Sequence, residues 1–169
     1  MLATKFHGTM GDDPNEAGNS RRWIFREVEA SLKRLQTDWI DLYQVHRWDH
    51  WTDHEETLGA LTDLVAQGKV RYLGSSTYPA AQIVKAQWVA RDRGLQRFVC
   101  EQPPYSLLVR GAEADVLPTV LEHGMGAIPC RARPIRPSSR PPTRSRSSPT
   151  RPACRSSTWR WRSSSAIPR

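Results

Sequence analysis

No apolar run in this chain approaches the ~20 residues that a membrane-spanning helix needs, and Met1 leads into a strand pattern with no signal peptide. Cysteine is scarce. Cys100, Cys130 and Cys154 are the only three, they share no metal-type spacing, and their odd number argues against a disulfide framework. The expected compartment is therefore reducing, with the cytoplasm as default. Also lacking is a Gly-rich phosphate fingerprint after the first strand, which weakens a dinucleotide-fold reading. The last forty residues contain no Lys, Asp or Glu.

That last absence divides the chain. The net charge is +8, but residues 130–169 hold eleven arginines, so residues 1–129 come to about −3. The first part has the composition of an ordinary soluble domain. The second is Arg, Ser and Pro with few aliphatic residues to bury, and it predicts a disordered tail.

Within residues 1–129, short apolar segments alternate with amphipathic ones. Leu2–Phe6, Ile40–Val45, Lys69–Gly74, Phe98–Glu101 and Gly126–Pro129 read as strands. Between them, Ile24, Val28, Leu32 and Leu35 recur at helical steps, as do Leu58, Leu61, Leu64 and Val65. Asn19 or Ser20 caps the first helix and Thr52 or Asp53 the second, with Gly68 at a left-handed C-terminal stop. Pro79 opens a third helix that runs to about Arg93, and a fourth spans about Glu113 to His123. Five strands and four helices in alternation predict a parallel sheet covered by helices. The fold class is α/β.

Open doubly wound sheets and closed eight-stranded barrels share this alternation. The polar residues favour the barrel: Lys5, His46, Ser76, Thr77 and Gln102 all stand at C-terminal ends of strands, where a barrel gathers its active site. A full barrel takes ~250 residues, so the expectation is a partial (β/α)8 TIM barrel with about five of eight strands. A rival site is His46, His50 and His54, spaced by four, with Asp49 and Asp53 nearby. On a helix that spacing would align three imidazoles for zinc. Here it falls on a strand end and a loop, so no metal site is expected, and Trp48 and Trp51 read as walls of a substrate pocket or a cover for the barrel mouth.

The runs LATKF, SLKRLQTDWIDLYQVHRWD, GKVRYLGSST and FVCEQPPYSLL occur in the order and spacing of aldo-keto reductases, and the chain resembles that family over about residues 2–129. It looks most like the branch of bacterial stress-type reductases and potassium-channel β subunits. The resemblance implies a (β/α)8 barrel that reduces a small aldehyde or ketone with NADPH, without a Rossmann domain. It implies that Lys5 and His46 match two of the four catalytic residues, Asp, Tyr, Lys and His. It further implies that Ser76, Thr77 and Gln102 contact the nicotinamide carboxamide, although the family usually has asparagine where Thr77 stands. The chemistry is coherent: hydride addition puts negative charge on the carbonyl oxygen, which a hydrogen-bond donor and a proton source must meet.

Two departures accompany the resemblance. The family's Asp and Tyr lie upstream of the lysine, and none of Tyr43, Tyr72, Tyr78 and Tyr105 falls at a matching position. After the GAIP run, Cys130 replaces an aromatic that stacks on the nicotinamide, and the basic tail begins at once. The expectation is a reductase barrel over 1–129, truncated before its first two strands and shifted out of frame after Pro129. The alternative is a non-catalytic barrel remnant whose Arg/Ser-rich tail, with Trp159 and Trp161, binds nucleic acid or other anions without sequence preference.

Overall fold

A computed structural model describes residues 1–13 and 15–130. The readings that concern the basic tail lie outside the described residues. Among those described, five strands alternate with four helices: β1 (Ala3–Phe6), α1 (Arg21–Leu35), β2 (Ile40–Val45), α2 (His54–Ala66), β3 (Val70–Ser76), α3 (Ala80–Asp92), β4 (Phe98–Gln102), α4 (Val116–Glu122) and β5 (Gly126–Ala127). All four pairings are parallel, and the strand order is β1-β2-β3-β4-β5.

This order separates the two candidate folds. A doubly wound sheet reverses its strand order at a switch point and carries helices on both faces. Here each strand lies beside its predecessor, and α1, α2, α3 and α4 pack each on the next. One sheet face therefore carries all the helices, as in a barrel wall. The fold is α/β, a five-stranded part of a TIM barrel.

The core lies between sheet and helices. Phe6, Tyr43, Val45, Leu73 and Phe98 of the strands meet Ile24, Val28, Leu58, Leu61, Leu64, Ile83 and Ala86 of the helices. Tyr43 stacks obliquely on Phe6 with ring centroids 4.9 Å apart. At ~25 cal/mol per Å² of apolar surface removed from water, this layer is the main stabilising contribution.

Helix ends follow their sequence signals. Ser20 caps α1 by accepting from the Trp23 amide, and Asp53 caps α2 by accepting from the Glu55 amide. Gly68, Gly94 and Gly124 have φ of 74°, 64° and 60°, a region open to glycine because it has no Cβ. Gln36 adopts φ 53° at the end of α1 without being glycine.

Three boundaries differ from the sequence reading. The expected helix from Glu113 is a 3-10 turn at Gly111–Glu113 followed by α4 from Val116. Pro118 explains the delay: it has no N–H, and its ring clashes with a helical turn before it, so it fits only the first turn. β3 continues past Gly74 to Ser76, whereas β2 ends at Val45 as read, with His46 just beyond it. β5 is only two residues long. Among the described residues no helix is long and apolar enough to cross a membrane.

Candidate functional site

Parallel register aligns the strand-end residues in two rows. The lower row pairs Lys5 with Gln44, Gln44 with Gly74, Gly74 with Cys100 and Cys100 with Gly126. Side chains alternate along a strand. Phe6, Tyr43 and Val45 pack in the core against the helices, so Lys5 and Gln44 face the other way, into the concave side of the sheet. Gly74 is what lets this row close up. A Cβ there would lie 2.8 Å from Cys100 Sγ and 3.0 Å from Gln44 Cγ.

The upper row, two residues further along each strand, is His46, Ser76 and Gln102. Ser76 and Gln102 are register partners, and the Ser76 hydroxyl donates to the Gln102 carbonyl at 2.9 Å. His46 is tied to β1 through its amide, which donates to the Phe6 carbonyl at 3.1 Å. Its ring is held below its ordinary pKa, first by what burial it has and then by the positive charges of Lys5, Arg47 and His7. At neutral pH it is a neutral imidazole with one N–H to give. The exposed Thr77 follows Ser76 in the left-handed region, φ 56°, its hydroxyl 3.5 Å from that of Ser76 and its amide 3.3 Å from the Gln102 carbonyl.

All five residues singled out in the sequence thus gather at one end of the sheet. Three others were not singled out. Gln44 is buried with its amide nitrogen lacking a partner among the described residues; its signal was a polar residue two before His46 in an apolar strand. Glu101 is fully buried and accepts from Ser75 Oγ at 2.5 Å and from the Tyr78 amide at 3.2 Å. Burial raises its pKa, and those donors pull in the opposite direction. Asn19 joins the two loops that rim the mouth. It meets His7 Nδ1 at 3.0 Å, donates to the Arg47 carbonyl at 3.1 Å, and accepts at its own carbonyl from Thr57 Oγ1 at 3.1 Å.

Those loops enclose a cavity of about 590 Å³ lined by His7, Thr9, Ser20, Arg47, Asp49 and Trp51. Asp49 braces it by accepting from the Trp51 and Asn19 amides at 2.9 and 3.2 Å and from Thr52 Oγ1 at 2.7 Å. Trp48 packs edge-on to His50. His46, His50 and His54 lie respectively at a strand end, in a loop and at a helix start, and no three metal-type ligands converge among the described residues.

The tyrosines are elsewhere. Tyr43 and Tyr78 are buried, and burial raises their pKa values out of reach of acid-base work near neutrality. Tyr72 is exposed beside Leu42, nearer the N-terminal end of its strand, and the Tyr105 hydroxyl donates to Glu113 at 2.5 Å.

A family model described as the aldo/keto reductase family matches residues 1–133. The chain belongs to the aldo/keto reductase family. It is 43% identical over 135 residues to norsolorinic acid reductase B of Aspergillus parasiticus, a match that covers 76% of this chain and 35% of that protein. It is 44% identical over 133 residues to the uncharacterized oxidoreductase YrpG of Bacillus subtilis, covering 76% of the chain and 40% of the relative. Aldo-keto reductase dtxS3 of Metarhizium robertsii is 42% identical over 118 residues, covering 70% and 32%. This reductase-family chain therefore spans little more than a third of the length of the curated relatives it matches.

The side chains at the strand ends suit a nicotinamide carboxamide, which has both an acceptor oxygen and a donor nitrogen. The Ser76 and Thr77 hydroxyls can each give and accept, and the Gln102 side-chain amide makes no hydrogen bond among the described residues.

Proposed function

We propose that this chain carries the carbonyl-polarising and nicotinamide-facing part of an NADPH-dependent aldo-keto reductase acting on a small aldehyde or ketone. The observation that carries the reading is the alignment of His46, Ser76 and Gln102 on adjacent strand ends, with Lys5 one row below. NADPH, held through Ser76, Thr77 and Gln102 at its carboxamide, would supply the hydride. The neutral His46 ring donates a hydrogen bond to the carbonyl oxygen as negative charge grows there. The Lys5 ammonium favours the anionic form of any phenol beside it, which eases loss of a proton from a tyrosine of otherwise high pKa.

The proton donor itself belongs to no tyrosine of the described strand ends, so catalysis requires a tyrosine from outside these residues. The same observation favours the second reading, in which the chain by itself is a non-catalytic barrel remnant that binds cofactor weakly. Its arginine-rich end then binds nucleic acid or other anions through charge alone. Trp48 and Trp51 supply aromatic walls suited to an apolar carbonyl compound. The free thiols Cys100 and Cys130 suit a reducing compartment, and the cytoplasm is the proposed location.

Quenching of tryptophan fluorescence by NADPH, followed by carbonyl turnover in wild type, Lys5→Met and His46→Ala, tests both readings. Turnover that falls at least a hundredfold in either variant supports the reductase. NADPH binding without turnover supports the remnant. Absence of NADPH binding sinks the assignment of Ser76, Thr77 and Gln102.

A further inference from the structure

The cofactor-facing turn after β3 is held by a group that the reaction itself does not use. Glu101 sits one residue before Gln102, on the helix side of β4, with 0% of its surface exposed. Its carboxylate accepts from Ser75 Oγ at 2.5 Å and from the Tyr78 amide at 3.2 Å. These two donors flank the left-handed step at Thr77, φ 56°, while the Thr77 amide itself donates to the Gln102 carbonyl at 3.3 Å. A β-branched residue in that region is a strained outlier, which persists only where its surroundings over-determine it.

We propose that Glu101 is a positioning residue for cofactor binding: it holds the Ser75–Tyr78 turn in the one conformation that presents the Ser76 and Thr77 hydroxyls beside the Gln102 amide. This inference rests on the nicotinamide-facing reading of Ser76, Thr77 and Gln102 given above. Several features support a dedicated role. A carboxyl group withdrawn from water is costly unless donors satisfy it, and an apolar side chain at position 101 would fill the same volume against the helices. Only an acceptor with two oxygens can take Ser75 on one and the Tyr78 amide on the other, which is how the oxygens divide here. Without it, Thr77 relaxes toward negative φ and its hydroxyl leaves the Ser76–Gln102 edge.

The test compares the full chain with Glu101→Gln, Ser75→Ala and Gln102→Ala by NADPH titration, with a thermal melt of each. Loss of one charge-assisted hydrogen bond from the turn should raise the NADPH dissociation constant about tenfold in Glu101→Gln and in Ser75→Ala. At saturating NADPH the dihydronicotinamide emission of both variants should move toward its value in water, a signature that general destabilisation does not produce. Both variants folded, with wild-type affinity and emission, would overturn the inference while Gln102→Ala still weakened binding. Should Glu101→Gln melt below the assay temperature, Ser75→Ala decides alone: wild-type behaviour there overturns the role. A wild-type chain that binds no NADPH removes the underlying reading, and this one with it.

Discussion

The Ser76 hydroxyl donates to the main-chain carbonyl of Gln102 at 2.9 Å, so two candidate cofactor contacts on neighbouring strands are fixed to one another. Their effects should not add. In a double-mutant cycle of Ser76→Ala and Gln102→Ala, NADPH affinity should show a coupling of about 0.5 kcal/mol or more, as residues in contact do. Independent losses would mean that the two side chains do not serve one ligand group.

Gly74 separates Gln44 from Cys100 in the lower row. A methyl group in Gly74→Ala would meet Cys100 Sγ at 2.8 Å, Gln44 Cγ at 3.0 Å and Leu42 Cδ1 at 3.3 Å. Overpacking of this kind costs about 1–3 kcal/mol, measurable by urea unfolding. Cys100→Ala in the same chain should restore part of the loss, since it removes the nearest atom. A Gly74→Ala chain as stable as wild type would contradict the packing of that row.

Asn19 links His7 on one rim loop to Arg47 on the other. Asn19→Ala removes that donor from the part-buried bond to the Arg47 carbonyl, a loss of about 0.5–1.5 kcal/mol for one hydrogen bond. The segment 8–18 should become the first point of proteolytic cleavage. Unchanged cleavage sites and stability would show that the loops do not depend on this residue.

His54 opens α2, buried and stacked on Tyr78 with ring centroids 6.1 Å apart. Burial, and then the charge of Lys85, hold it below the ordinary value of 6.5. The unfolded chain therefore takes up this proton at a higher pH than the folded chain does, and stability falls as pH drops below about 6.5. His46 acts in the same direction. Glu101 opposes them, because its raised pKa favours the folded state as it protonates. The melting temperature should fall between about pH 7.5 and pH 5.5, and His54→Gln should lessen that fall. Parallel curves for the two proteins would refute the role of His54.

Much of this fold was legible in the chain because it is set by local rules. Alternation of five apolar runs with helical periodicities at Ile24, Val28 and Leu32, and at Leu58, Leu61 and Leu64, determined α/β architecture. The glycine stop at Gly68 marked a helix end through its need for positive φ, 74° here. The strand-end positions of Lys5, His46, Ser76 and Gln102 were likewise readable, since a barrel collects the ends of its strands. Pro118 was a signal not used: its effect on α4 is local, and the fourth helix was read as starting about Glu113 when it starts at Val116.

What only the tertiary structure decided depends on register and on which face a residue shares with residues far away in the chain. Nothing near Glu101 in sequence says that Ser75 and Tyr78 will supply its donors, because those contacts span more than twenty positions and exist only once β3 and β4 pair. Gln44, Gly74 and Cys100 form a row for the same reason: parallel strands meet only through crossover helices, and the register of each pair is set by how those helices pack. The chain by itself determined which elements form and which ends hold polar residues; the packing of helix on sheet decided which of those residues meet.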